Sequence, residues 1–225
     1  MAYLPAQRLK VYRNFKAIDA ADYYGIIRYF EQHEEALGEL DEEEYFDCAY
    51  TYAQALFEVG YYNQAVVMFD HLLEKVIVQN MAMWEGKDVF VHLLARKATA
   101  LMRQQRWAHA EHVAREGVKL NPEDPYWRQL LNKCLLRQRP HRLLQAWALC
   151  MGLLFASLLA AALELFVVRP FFPTYASLLL FFHQLLLSSA LAIALGSEGW
   201  HWYTCRRKIR TFVRDIRARH RAKRS

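Results

Sequence analysis

His109 and His112, three residues apart with Glu111 and Glu116 beside them, come closest in this sequence to the types and spacing of a metal site. A helix puts both imidazoles on one face, where ring nitrogens hold zinc when further ligands converge. No H-E-x-x-H spacing or C-x-x-C pair completes such a set. The two histidines are therefore read as surface residues of a helix, and no metal is assigned. The acidic run Asp41 to Glu44 has a simpler role at a helix start, where carboxylates complement the dipole. There is no Gly-rich phosphate loop and no nucleophile elbow. No catalytic residue and no cofactor are assigned, and the chain is not expected to be an enzyme.

Three further polar residues sit where polarity is expensive. Glu164, His183 and Gln184 lie within long apolar runs, and an ionisable group in hydrocarbon costs several kcal/mol unless it is paired or near the interface. They serve either a proton or ion pathway or, more simply, a polar clamp between helices in which Glu164 meets His183. Cys48, Cys134, Cys150 and Cys205 are widely separated, which indicates neither a disulfide framework nor a zinc site and suits a reducing compartment. Cys205, at the end of an apolar run among basic residues, is a candidate for lipidation.

The runs that carry these groups, Leu143 to Val168 and Tyr175 to Gly196, are separated by only Arg169 to Thr174. A helix needs roughly 20 residues at about 1.5 Å each to cross a hydrocarbon core of about 30 Å, and both runs reach that length. They predict a transmembrane hairpin over 140–202, with Pro170 and Pro173 suited to its turn. Arg137, Arg139 and Arg142 precede it and Arg206, Arg207, Lys208 and Arg210 follow it, against Arg169 alone in the turn. The positive-inside rule then places both termini in the cytoplasm, with Trp147, Trp200, Trp202 and Tyr203 as interfacial anchors. Residues 1–16 hold no signal-peptide h-region. The expected location is a bacterial inner membrane, with 1–139 as a cytoplasmic domain and 203–225 as a basic tail.

From Cys205 to Ser225 the sequence holds ten Lys or Arg and one acid, Asp215. Ile209, Phe212, Val213 and Ile216 recur at helical spacing, with Arg206, Arg207, Lys208, Arg210, Arg214 and Arg217 around them. That pattern predicts an amphipathic helix on anionic lipid, and the position beside a membrane span argues against nucleic acid as the partner.

Residues 1–139 read as all helical. Helix-period apolar residues run over Asp19 to Ala36, Glu42 to Val59, Tyr62 to Val78, Lys87 to Gln104, Trp107 to Leu120 and Asp124 to Arg137, with breaks at Gly38, Gly60, Gly86 and Asn121-Pro122. Two stretches match at a spacing of 45 residues. Tyr52-Ala53, Leu56, Gly60, Tyr62, Ala65 and Phe69 correspond to Lys97-Ala98, Leu101, Gln105, Trp107, Ala110 and Ala114. With the ending Gly117 to Pro125, these stretches resemble the tetratricopeptide repeat, a helix-turn-helix unit of about 34 residues. About eleven extra residues around Val78 to Asp88 must lengthen a helix or form a loop. Asp19 to Ala36 would be a degenerate earlier unit and Asp124 to Arg137 a capping helix.

The resemblance implies a concave face that holds a protein partner. Its lining would be Asp47, Tyr50, Gln54 and Phe57 from one unit and His92, Ala95, Thr99 and Arg103 from the next. The basic clamp by which some members bind a C-terminal carboxylate is missing there. The expected function is a membrane-anchored cytoplasmic adaptor or scaffold, with a non-catalytic or ion-conducting subunit of a larger membrane complex as the alternative.

Overall fold

The computed structural model describes residues 5–81, 83–84, 86–138, 140–171 and 176–222. It is all-α apart from one minimal hairpin, and it divides into two compact units between Cys134 and Leu135. Three helices match their expected bounds: α4 (Glu42–Val59), α5 (Tyr62–Val78) and α7 (Trp107–Leu120). Three features of the first unit were not foreseen. Pro5–Lys16 forms a helix, α1. The segment from Asp19 becomes α2 (Tyr23–Gln32) and a short α3 (Glu34–Gly38). The extra residues before α6 (Val89–Arg103) contain a two-residue antiparallel pair, β1 (Met83–Trp84) with β2 (Lys87–Asp88), turned at Gly86, whose φ of 74° is open to glycine.

Capping residues set the starts. Asp22 accepts from the Gly25 amide at 2.9 Å and Asp88 from the Val91 amide at 3.0 Å, while Asp124 accepts from Tyr126 at 2.8 Å to open α8 (Pro125–Arg137). The 45-residue correspondence recurs in backbone detail. Gly60 and Gln105 both take left-handed φ, 94° and 60°, at the end of a first helix. The following amides reach back to Leu56 and Leu101 carbonyls at 2.9 and 3.0 Å, which is the Schellman arrangement in both units. The small residues Ala53, Ala65, Ala98 and Ala110 are fully buried between paired helices. Successive helices pack in order, α2 on α4, α4 on α5, α5 on α6 and α6 on α7. Trp127 of α8 lies flat over Gly117 of α7, where a Cβ would come within 2.2 Å of the indole.

The second unit is an antiparallel pair. Its helix α9 (His141–Leu163) leads through a π-helical turn, Glu164–Val168, into a short α10 (Arg169–Phe171). The wider turn lies directly before Pro170, whose ring would crowd the carbonyl four residues back and which offers no amide hydrogen. Residues 172–175, most of the expected connection, lie outside the described residues. The partner helix, α11 (Ala176–Ala222), runs unbroken for 47 residues, about 70 Å at 1.5 Å per residue. The basic tail is therefore a continuation of that helix.

Leu143, Cys150, Ser157 and Glu164, seven apart, are all buried along one seam of this pair. A seven-residue period means 3.5 residues per turn, the geometry of helices crossing at about 20°. Ser157 meets His183, and the Cys150 thiol donates to the Ala190 carbonyl at 3.3 Å. Large apolar side chains such as Leu149, Phe155, Leu158, Phe181, Leu191 and Leu195 point outward instead. Both helices are long and apolar enough to cross a membrane, and only 17% and 6% of their most apolar stretches are buried. A helix pair in a soluble core would show the reverse.

Candidate partner-binding site

At about 100° per residue, Asp47, Tyr50, Gln54 and Phe57 fall within about 80° of one another on α4, and His92, Ala95, Thr99 and Arg103 do the same on α6. The structure joins the two stripes through the Tyr50 hydroxyl and His92 Nδ1, 3.1 Å apart. Along α6 the Thr99 hydroxyl donates to the Ala95 carbonyl at 2.9 Å and meets the Tyr126 hydroxyl of α8 at 3.4 Å. Arg103 is exposed at the far end. Phe57 is half-buried, with the Arg96 guanidinium 5.0 Å above its ring; Arg96 also bonds Glu58 at 3.2 Å.

One expected lining residue is used internally. Asp47 is buried, and its carboxylate accepts from the Tyr12 hydroxyl at 3.0 Å and pairs with Lys16 at 2.8 Å. Both donors come from α1, so that end of the stripe is covered by the chain itself. Burial and the neighbouring Asp47 carboxylate push the Tyr12 phenol up to about 12. The adjacent Cys48 thiol is likewise raised to about 12, by burial and then by Asp47. Sequence reasoning passed over α1, although Val11 and Phe15, four apart, signalled one helical face. Next to this covered end, the buried side-chain nitrogen of Gln54 makes no hydrogen bond among the described residues.

No family model, curated protein or solved structure matches this chain. What it does must be argued from its own residues.

His109 and His112 are exposed on α7, and among the described residues no three His, Cys, Asp or Glu side chains converge as a metal site. In the second unit His183 Nδ1 lies 3.0 Å from both the hydroxyl and the carbonyl of Ser157, seven residues before Glu164. Residue 157 faces 183 and 150 faces 190, a register that places Glu164 near position 176, about 10 Å along the axis from His183. The expected Glu164 to His183 clamp is thus replaced by a Ser157 to His183 clamp, while Glu164 is buried at the start of the π turn. Gln184 faces outward. At the other end of the pair, the Trp147 indole donates to Glu198 at 3.0 Å, near the exposed rings of Trp200, Trp202 and Tyr203.

In the tail Arg206, Arg207, Lys208, Arg210 and Arg214 are exposed and Arg217 is half-buried, with Arg206 stacked 3.8 Å from the Trp202 ring. Ile209, Val213 and Ile216, the face expected to enter lipid, are buried. The surface this part of the helix exposes is therefore cationic and not apolar. Cys205 is also buried, its thiol donating to the Leu135 carbonyl at 3.6 Å, which removes the accessibility that lipidation needs.

Proposed function

We propose that this protein is a membrane-anchored adaptor whose first unit, a tetratricopeptide-like pair of repeats, holds a protein partner beside the bilayer. The observation that carries the reading is the repeat itself. Two like units related by 45 residues set α4 and α6 side by side, so that Tyr50, Gln54 and Phe57 form one continuous stripe with His92, Ala95 and Thr99. The helix pair of the second unit, with its outward apolar band, supplies the anchor, and the basic residues at its ends support a cytoplasmic position for both termini.

A second reading, a subunit of a larger membrane assembly, is favoured by Gln184. An amide on the outer face of an apolar helix has better partners on a neighbouring span than in hydrocarbon. Tagged full-length protein, extracted in mild detergent, separates the two. The adaptor retains a partner that Gln54→Arg with Thr99→Arg releases. A fragment from Leu135 onward that retains the same partner would overturn the adaptor reading in favour of the subunit.

A further inference from the structure

The repeat also duplicates a crevice on the opposite side of α4 from the partner stripe. One crevice, about 590 Å³, opens between α2 and the α4–α5 pair; the other, about 370 Å³, opens between α5 and the α6–α7 pair. Tyr52, Asn63, Gln64, Val67 and Met68 line the first, and the residues 45 further on, Lys97, Ala108, His109, His112 and Val113, line the second. They are one site in two versions; all five pairs differ, and the one that exchanges a neutral side chain for an ammonium is 52 against 97. Lys97 carries an ammonium that pairs with Asp70 on the preceding helix. Tyr52 occupies the same place with no charge. Its ring stacks on Phe30 at 4.1 Å, and its hydroxyl donates to Glu31 of α2 at 3.2 Å.

The second crevice therefore has its own cation, whereas the first presents the carboxylates of Glu31 and Glu34 with neither in an ion pair among the described residues. Its walls already favour cations. The Lys75 ammonium lies 4.5 Å over the Tyr45 ring, which forms part of the lining. The surrounding segment, residues 19–75, contains fourteen Asp or Glu and only two basic residues, Arg28 and Lys75. That charge draws positive ligands to the mouth of the crevice. A volume of about 590 Å³ is within the range of about 300–1,000 Å³ usual for ligand sites.

We propose that the first crevice binds an arginine side chain of a basic peptide segment, the guanidinium taking from outside the place that Lys97 fills in the second. A planar guanidinium can stack on a tyrosine face while its in-plane N–H groups meet carboxylates in a fixed fork, a geometry that a tetrahedral ammonium does not match. The site faces away from the Tyr50 to Thr99 stripe and does not depend on that stripe being a partner groove.

The test is fluorescence anisotropy of labelled Gly-Arg-Gly-Arg-Gly-Arg-Gly with the full chain in neutral detergent. The peptide should saturate and bind at least tenfold tighter than its citrulline counterpart, which has the same shape without the charge. Glu31→Gln with Glu34→Gln should weaken it at least tenfold. Tyr52→Lys, which copies the second crevice, should do the same, and so should Val67→Arg, whose position is 69% exposed and tolerates a new side chain without disturbing the fold. Equal binding of the citrulline peptide overturns the proposal. So does unchanged binding to Val67→Arg, or an equal loss in Glu42→Gln with Glu43→Gln, which removes two charges outside the crevice. Displacement by choline at lower concentrations than by free arginine would assign the site to a quaternary ammonium and reject the arginine occupant.

Discussion

Gly60 and Gln105 occupy equivalent left-handed positions, yet only one is glycine. A side chain there costs about 1–2 kcal/mol, partly offset by glycine's larger entropy in the unfolded chain. Gln105→Gly should therefore stabilise the protein by about 0.5–1 kcal/mol and Gly60→Ala should destabilise it by a similar amount, measured by urea unfolding followed by circular dichroism. Opposite signs at the two positions are the signature to look for. Two half-buried phenols give a second check. Tyr12 and Tyr52 are both raised to about 12, chiefly by burial and then by Asp47 and Glu31 respectively. A raised folded value means that the fold favours the neutral phenol. That stabilisation is complete below the ordinary tyrosine value near 10 and is lost as pH climbs toward 12. Stability should begin to fall near pH 9, where the buried Cys48 and Cys134 thiols would ionise if unfolded, and fall more steeply between 10 and 12, and Tyr12→Phe should blunt the steeper part. A fall that Tyr12→Phe leaves unaltered would mean that this phenol is not held as described.

Among the elements, those legible in the sequence were those whose signals are local. Gly60 ended α4, Pro122 followed α7, and the apolar period of α5 needed no tertiary help, so their bounds matched. α1 was missed because much of its surface is polar and its buried side chain, Phe15, packs on rings distant in the sequence, Tyr29 and Phe30. The hairpin at Met83–Asp88 is too short for alternation to register. The partner stripe was legible as a spacing, but Lys16 on Asp47 was not, because a contact across 31 positions leaves no local trace. The continuity of α11 was obscured because its apolar run ends at Gly196, although a glycine costs only about 1 kcal/mol in a helix and does not end it. Element packing gives its own prediction. Ala110 is fully buried where α6 and α7 approach, so Ala110→Leu should lower stability by about 1–3 kcal/mol through overpacking. An unchanged melting temperature would show that the paired-helix register is misplaced.

Across the whole molecule, charge and hydropathy are segregated. Fourteen acids crowd residues 19–75, ten Lys or Arg lie beyond Cys205, and the most apolar helices come between. Two crossings return the chain to the side it left, so the acidic unit and the basic end share one compartment if the helix pair spans a bilayer. Arg137 and Arg206 to Arg210 flank that side against a single Arg169 on the other, an asymmetry that supports the proposed cytoplasmic placement of that side. The four native cysteines are buried, so they contribute little background to thiol labelling of the folded protein. An impermeant maleimide applied to intact cells should therefore modify Thr174→Cys, in the short connection, and miss Glu43→Cys, at an exposed position of α4. After permeabilisation Glu43→Cys should label as well, showing that its thiol was accessible all along. Labelling of Glu43→Cys before permeabilisation would reverse the orientation and move the partner to the outside. Equal labelling of both positions in intact cells would mean that the pair does not cross the membrane.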